Sequence, residues 1–103
     1  MTATDTAPPA SAGTRIYLSG DIDIFTTERL RQRLVKALRS STALMVLDMS
    51  HVTFCGAGGL GVLLGVQARG RTRGVTLALT GISPSMTRLL RAAGLERRFP
   101  IMA

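Results

Sequence analysis

The 103-residue chain has little of several residue types, and each scarcity narrows what the protein can be. It contains one cysteine, so no internal disulfide can form, which is typical of a reducing compartment. One histidine and scattered acidic residues give no pattern of metal ligands, and we predict no metal or other cofactor. No apolar run is close to the length of about 18 residues that a membrane-spanning helix needs. The N-terminus lacks the features of a secretory signal. We therefore expect a cytoplasmic protein without membrane contact.

Aromatic residues are also scarce, at 4% of the chain, and acidic residues are outnumbered by basic ones, 6 to 13. The net charge is +7, and every basic residue except Lys36 is arginine. A basic surface of this kind could bind nucleic acid or an acidic partner. However, few aromatic rings are available to stack on bases, and the arginines are dispersed along three predicted helices. We therefore predict no direct contact with nucleic acid.

What the sequence does contain is a regular alternation of strand and helix patterns. Strands are predicted at RIYLS (15–19), ALMVLDM (43–49) and VTLAL (75–79), with a short one at FPIM (99–102). Helices are predicted after each of the first three strands. The first carries a buried stripe at Leu30, Leu34, Ala37 and Leu38, and the third begins at Ser83-Pro84 and ends at a left-handed Gly94. This order indicates an α/β sandwich with neighbouring parallel strands. We predict one domain over residues 14–103, preceded by a flexible tail over residues 1–13 that is rich in Ala, Pro, Ser and Thr.

The segment FCGAGGLGVLL (54–64) places a glycine-rich loop between the second strand and the second helix. Gly56, Gly58 and Gly61 match the G-x-G-x-x-G spacing of dinucleotide-binding folds. That fingerprint needs an acidic residue about 20 positions later, where Leu79 and Thr80 stand instead. A phosphate-binding Walker loop is not formed either, because no Gly-Lys-Ser/Thr follows. We therefore predict that the loop binds no nucleotide.

Residues that could perform catalysis are too few to define an active site. His51 is the only histidine, and Cys55 has no partner that sequence spacing would fix beside it. Because a nucleophile needs a base that a third group orients, we predict that the protein is not an enzyme. The apolar residues before Cys55 favour a buried, inert thiol over a reactive one.

Three segments together resemble the STAS domain of anti-anti-sigma factors, also called anti-sigma factor antagonists. These segments are GDID (20–23), LMVLDMSHVTFCGAGGLGVLL (44–64) and GISPSMTRLLRAAGLERRF (81–99), within a resemblance that spans residues 15–102. The resemblance implies a STAS-like sandwich with a mixed sheet of about four strands. It also implies a bacterial regulator of transcription that binds an anti-sigma factor with a kinase-like ATPase domain. That partner frees its sigma factor on binding and reverses the exchange by phosphorylating a serine of the antagonist; a homodimer is left open.

The chain departs from this family at the loop that carries the serine, which usually reads Asp-Ser-Ser-Gly-Leu. Gly56 stands at the Asp position, Ala57 at the phosphorylated serine and Gly58 at the second serine, whereas Gly59 and Leu60 match. Alanine has no hydroxyl group, so no phosphoryl group, with its charge of about −1.5 to −2, can be attached at position 57. Two further family elements, the first strand and the last helix, are not evident in the sequence.

The resemblance gives a leading hypothesis and a set of predicted partner contacts. The chain would bind an anti-sigma factor without being controlled by serine phosphorylation at this loop. The loop and Leu60 would contact the partner. Asp21 and Asp23 would contact it at the rim of the interface, although a turn and a helix cap explain these two acids equally well. The predicted contacts are Asp21, Asp23, Cys55, Gly56, Ala57, Gly58, Gly59 and Leu60.

Two alternatives remain open at this point. The domain could be a degenerate STAS signalling or scaffold module that binds another protein or a small ligand, and oxidation of Cys55 could switch that binding. Thr53 could replace the missing phosphate acceptor, although β-propensity alone explains a threonine at the end of a strand.

Overall fold

The computed structural model describes residues 2–6, 14–23 and 25–102. The elements in these ranges are β1 (Thr2–Thr6), β2 (Thr14–Ile22), α1 (Thr27–Ser40), β3 (Leu44–Cys55), α2 (Ala57–Thr72), β4 (Thr76–Thr80), α3 (Pro84–Ala92) and β5 (Ile101–Met102). The strands form one mixed sheet in chain order. β1 pairs antiparallel to β2, and the remaining neighbours pair in parallel. The predicted α/β fold with a mixed sheet is confirmed, with one strand more than expected.

The additional strand, β1, lies inside the segment predicted to be a flexible tail. Thr2 is opposite Ser19 and Thr6 is opposite Arg15, so the prediction of an unstructured segment without a first strand is wrong for these five residues. Backbone hydrogen bonds alone define an antiparallel pair, so a strand at the edge of a sheet needs no apolar pattern in its sequence. The rest of the predicted tail, residues 7–13, lies outside the described residues.

The hydrophobic core lies between the sheet and the helices. Alternate residues of the central strands, such as Ile16 and Leu47, are buried and belong to one cluster with the helices. α1 contributes a stripe at helical spacing, and the sequence predicts all of its members: Leu30, Leu34, Ala37 and Leu38. Each such leucine or isoleucine stabilises the fold by about 1.5–3 kcal/mol when it leaves water. This burial holds the helices on the sheet.

The predicted start and end of α3 are also confirmed. Ser83 is the N-cap, and its side-chain oxygen accepts a hydrogen bond from the backbone N–H of Met86 at 3.1 Å, with Pro84 at the first helical position. Gly94 has φ of 71°, a left-handed conformation that glycine adopts without strain. The backbone N–H of Leu95 then donates to the carbonyl oxygen of Leu90 at 2.7 Å, which closes the end of the helix.

The parallel strands give the sheet two chemically different ends. At the carboxyl end, β2, β3 and β4 finish at Ile22, Cys55 and Thr80, and the helices begin there. At the amino end, the same strands start and the helices finish. Because α/β sheets usually bind ligands and partners where strands lead into helices, a functional site is expected at the carboxyl end.

Candidate functional site

The glycine loop connects β3 to α2 at the carboxyl end and is tied to the neighbouring strand. The backbone N–H of Gly56 donates to the carbonyl oxygen of Ile22 at 3.1 Å. Gly56 is the N-cap of α2, and no side chain makes a capping hydrogen bond there. The first turn of α2 also carries no acidic residue. The unpaired N–H groups of a helix start carry partial positive charge, so this end of α2 favours contact with a partner's negative group.

The second half of the loop faces the interior. Gly59 is buried, and a Cβ atom added there would lie 2.7 Å from Ile22 Cγ2 and 2.8 Å from Cys55 Sγ. Leu60 is 4% exposed and belongs to the core. Of the predicted partner contacts, Gly59 and Leu60 therefore lie beneath the accessible face of the loop. The first turn of α2 packs both residues against the end of the sheet.

The first half of the loop is accessible. Ala57 and Gly58 are exposed, and Gly56 is half-buried. A Cβ atom added at Gly58 would meet only Thr27 Cγ2, at an ordinary contact distance of 3.5 Å. Since Ala57 has one methyl group and Gly58 has no side chain, another protein's backbone could approach this turn closely.

The two predicted acidic contacts have different surroundings. Asp21 is exposed, and its Oδ1 accepts a hydrogen bond from the Thr53 hydroxyl at 2.5 Å, which links the ends of β2 and β3. Asp23 is half-buried, and its Oδ1 accepts a hydrogen bond from the backbone N–H of Phe25 at 2.9 Å. The carbonyl oxygen of Asp23 also accepts from the backbone N–H groups of Thr26 and Thr27, both at 3.1 Å. Asp23 therefore shapes the turn before α1, whereas Asp21 is hydrogen-bonded to Thr53 and exposed at the rim.

An apolar groove that sequence reasoning missed lies beside the loop. The prediction that the second strand ends at residue 49 is wrong, because β3 continues to Cys55 while its pairing with β4 stops at Asp48. Residues 49–55 thus extend past their neighbour and leave an open space of about 330 Å³ against α3. The groove is lined by Met49, Val52, Thr53, Phe54, Cys55, Ser83, Ser85, Met86 and Leu89.

Phe54 dominates the accessible surface of this region. The residue is 56% exposed, although phenylalanine is usually found in the interior. Phe25, in the neighbouring turn, is exposed as well. We call the exposed group of Asp21, Phe54, Ala57 and Gly58, together with the groove, the docking surface. A signal was present in the sequence, since the run SHVTF places a phenylalanine directly before a glycine loop.

The Cys55 thiol is at the inner margin of the docking surface. Burial raises the pKa of this thiol above its usual value. Its Sγ lies 3.7 Å from the carbonyl oxygen of Gly56 and faces no cation in the described part of the chain. Because the thiolate is the reactive form, a raised pKa makes the group less nucleophilic at neutral pH. This observation supports the prediction of an inert cysteine and weighs against the redox alternative.

His51 is part of a polar cluster on β3 that lacks the arrangement of a catalytic site. Its Nδ1 lies 3.2 Å from Ser50 Oγ, and that hydroxyl donates to Asp48 Oδ1 at 2.6 Å. The carboxylate therefore contacts the serine and does not orient the histidine as a base. Hydrogen bonding from Ser50 lowers the pKa of Asp48, and the Arg15 guanidinium 3.6 Å away acts in the same direction. Within the described ranges, His, Cys, Asp and Glu side chains form no group of three suited to a metal ion.

Comparison with known proteins identifies the family. A family model described as "Mlab, STAS domain" matches residues 7–102, which is most of the chain. The chain belongs to the STAS domain family. An anti-sigma-B factor antagonist of Listeria monocytogenes is 29% identical over 81 residues, covering 79% of this chain and 71% of the relative.

Solved structures of STAS proteins share the fold described above. An anti-sigma factor antagonist from Mycobacterium paratuberculosis superposes with a TM-score of 0.76 at 26% identity, over 97% of this chain and 85% of that one. Unphosphorylated SpoIIAA, also an anti-sigma factor antagonist, superposes with a TM-score of 0.75 at 16% identity, over 99% of this chain and 88% of that one. The fold and the family expected from the sequence are thereby confirmed. No helix in the described ranges is both long and apolar enough to cross a membrane.

Proposed function

We propose that this chain is an anti-sigma factor antagonist that binds a kinase-like anti-sigma factor and is not switched by phosphorylation at the glycine loop. Family membership and relatives named as anti-sigma factor antagonists support the regulatory role. The observation that carries the proposal is the exposed Ala57–Gly58 turn beside the exposed Phe54 ring. The turn has an accessible backbone and no hydroxyl group, and Phe54 beside it supplies an apolar side chain for a partner to contact.

The docking surface has the composition of a small interface. Phe54 supplies an aromatic side chain that a partner's pocket can desolvate, which is how most interface energy arises. Asp21 supplies a charge at the rim, where it affects the rate and specificity of binding more than the affinity. The bare turn at Ala57 and Gly58 allows a partner's backbone or carboxylate to reach the start of α2.

The loop sequence changes regulation and leaves recognition intact. In a regulator of this type, a phosphate at the exposed turn would add negative charge and separate the two proteins. The side chain of Ala57 has no hydroxyl oxygen to accept it. Release must therefore depend on competition for the partner or on a change in the partner itself.

The first test measures binding to the kinase-like anti-sigma factors encoded in the same genome. We expect one of them to bind the chain, and we expect Phe54→Ala to weaken that complex at least about 30-fold, the loss of a hot-spot residue worth about 2 kcal/mol. Tyr17→Ala is the matched control, because Tyr17 is another exposed aromatic residue but lies on β2, away from the docking surface. Failure of every candidate to bind the chain would overturn the proposal.

The second test restores the family sequence at the loop. The double variant Gly56→Asp/Ala57→Ser should become a phosphorylation substrate of the bound anti-sigma factor, detected by intact mass. The unaltered chain is the control and should remain unmodified. If the variant stays unmodified beside a control antagonist that is phosphorylated, the proposed docking geometry is wrong.

A second candidate function is a signalling or scaffold module that binds a small apolar ligand or a different protein. The groove of about 330 Å³ favours this candidate, because small-molecule sites commonly measure about 300–1,000 Å³. A small apolar ligand in the groove would raise the melting temperature of the chain, and Leu89→Asp should abolish that shift. A redox version of this module predicts that Cys55→Ser removes any effect of oxidants on binding.

A further inference from the structure

The amino end of the sheet gathers arginines that are far apart in the sequence. Because the helices all run back from the carboxyl end, their final turns lie together at the amino end. The hydrogen bonds from Val75 N–H to Gly70 O at 2.8 Å and from Thr76 N–H to Ala43 O at 2.9 Å hold these endings against the starts of β3 and β4. We call the six residues of this region the arginine pole: Arg39, Arg69, Arg71, Arg73, Arg97 and Arg98.

The positive charge of the arginine pole is not neutralised within the described part of the chain. The ion pairs found there join Arg15 to Asp48, Arg31 to Glu28 and Arg91 to Glu96. None of them involves a member of the pole. Asp21 and Asp23 lie at the other end of the sheet, so neither acid offsets the charge of the pole.

The pole surrounds two open grooves, one on each side of the end of α2. The larger groove measures about 540 Å³ and includes Arg71, Arg97 and Arg98 in its lining. The smaller measures about 220 Å³ and includes Arg39, Arg69 and Arg73. The first groove has a fixed wall, because Gln67 is 5% exposed and its side-chain amide donates to the carbonyl oxygen of Arg98.

The dipoles of α1 and α2 explain the positions of only three of the six arginines in the pole. Arg39, Arg69 and Arg71 lie in the last turns of α1 and α2, where the partial negative charge of the helix end stabilises a cation. Arg73 is the C-cap residue that follows the last turn of α2, and Arg97 and Arg98 lie several residues after the end of α3. These three arginines therefore need another explanation for their position beside the grooves.

We propose that the arginine pole binds the phosphate backbone of duplex DNA without reading its sequence. Arginine forms bidentate hydrogen bonds with phosphate, and six uncompensated guanidinium groups match an extended polyanion better than one small ligand. The sequence-based prediction of no nucleic-acid contact rested on arginines dispersed along three helices and on the scarcity of aromatic rings for base stacking. The fold brings six of the 13 basic residues to one end, which removes the first reason. The second reason applies to single strands, because contacts with the phosphates of a duplex need no stacking.

The surroundings of the pole favour DNA over an acidic protein or a single strand. The exposed large hydrophobic residues of the described ranges are Tyr17, Phe25, Phe54, Ile101 and Met102, and none of them lines either groove. Protein interfaces are usually centred on such residues, so an arginine-lined surface without an exposed hydrophobic anchor is a poor protein site. Recognition of single strands usually needs exposed aromatic rings for base stacking, and the grooves offer none.

The first measurement is the salt dependence of binding to a labelled duplex of about 20 base pairs, followed by fluorescence anisotropy. Six phosphate contacts predict a slope of about −5 for the logarithm of the binding constant against the logarithm of salt concentration. Absence of binding at about 0.05 M salt would overturn the proposal. Tighter binding to a single strand of the same length, or equal displacement by poly-glutamate, would overturn it as well.

The second measurement compares two double variants with the same net charge. Arg71→Gln/Arg98→Gln removes two charges from the pole, and Arg29→Gln/Arg88→Gln removes two exposed charges elsewhere; each lowers the net charge from +7 to +5. The pole variant should lose at least about tenfold in affinity at 0.1 M salt and reduce the slope by about 1.8. The control should lose much less. Equal losses would mean that net charge alone drives binding, and the proposal would fall.

This inference does not depend on the proposed antagonist function, because the docking surface and the pole lie at opposite ends of the sheet. Anti-sigma factor binding should be the same for the unaltered chain and for the pole variant. A chain that binds DNA but no anti-sigma factor would refute only the antagonist proposal. The reverse result would refute only the DNA proposal.

Discussion

At the scale of single residues, Gly59 shows that part of the glycine loop is required by packing within the fold. The family resemblance includes this glycine in the predicted contact set, but its Cα lies where Ile22 and Cys55 leave no room for a methyl group. Gly61, one half-turn further on, would meet nothing within 4 Å. Two glycines that look equivalent in the sequence therefore have opposite structural roles.

The first prediction compares alanine at these two positions. Gly59→Ala should destabilise the fold by about 1–3 kcal/mol, because an added methyl group overpacks a site without space. Gly61→Ala should stabilise it by about 0.5–1 kcal/mol, since alanine loses less backbone entropy in a helix. Urea denaturation of both variants measures the difference. Equal stability of the two variants would show that the close packing around Gly59 is absent.

The second prediction concerns the pH dependence of stability through Asp48. The pKa of this carboxyl is lowered in the folded state, chiefly by the Ser50 hydrogen bond, whereas the unfolded value is about 3.9. The ionised form therefore stabilises the fold above pH of about 4, and this stabilisation disappears as the pH falls through the folded-state pKa. Ser50→Ala should raise the pKa of Asp48 and weaken the loss of stability in acid.

The pKa of Asp48 in this variant can be followed by NMR titration of the side-chain carboxyl carbon, and stability by urea denaturation between about pH 2 and 6. Thr53→Val is the control, because Thr53 donates its hydrogen bond to Asp21 and does not contact Asp48. An unchanged Asp48 titration in Ser50→Ala would contradict the assigned cause of the shift.

At the scale of elements, the length of β3 decides the shape of the docking surface. The apolar run ALMVLDM predicts a strand that ends at residue 49, since the polar pair Ser50 and His51 interrupts the run. The strand continues because its backbone keeps pairing with β2 as far as Cys55. Its last residues have no neighbour on the β4 side, and α3 lies across the gap to form the groove.

The third prediction tests the element that closes this groove. Ser83→Ala removes the hydrogen bond to the backbone N–H of Met86 and should cost about 1 kcal/mol, within the about 0.5–2 kcal/mol typical of an N-cap. Ser85→Ala is the control, because Ser85 is exposed and its hydroxyl contacts only the Arg88 side chain, at 3.3 Å. Thermal unfolding of both variants gives the comparison. A loss as large for Ser85→Ala would show that the cap is not responsible.

At the scale of the whole molecule, parallel topology separates two kinds of surface. Strand ends and helix starts collect the docking surface at one end, while helix ends and strand starts collect the arginine pole at the other. An interaction at one end therefore need not block the other. The asymmetry follows from the connection rule for parallel strands, since each crossover helix must return to the end where its strand began.

The sequence by itself determined the order of elements from β2 onward, the core stripe of α1, the cap of α3 and the family. Each of these depends on local periodicity or on residue types at fixed spacing, and both are visible in a linear chain. It also determined that position 57 cannot accept a phosphoryl group, because that depends only on the identity of Ala57.

Only the tertiary structure decided the pairing of β1, the burial of Gly59 and Leu60, the groove beside Phe54 and the convergence of the arginines. Each of these features brings together residues that lie far apart along the chain, or depends on which side of an element faces the interior. Edge pairing uses backbone groups that every residue possesses, and burial depends on neighbours from other elements. Such properties arise when the chain closes on itself, so local patterns in the sequence do not determine them.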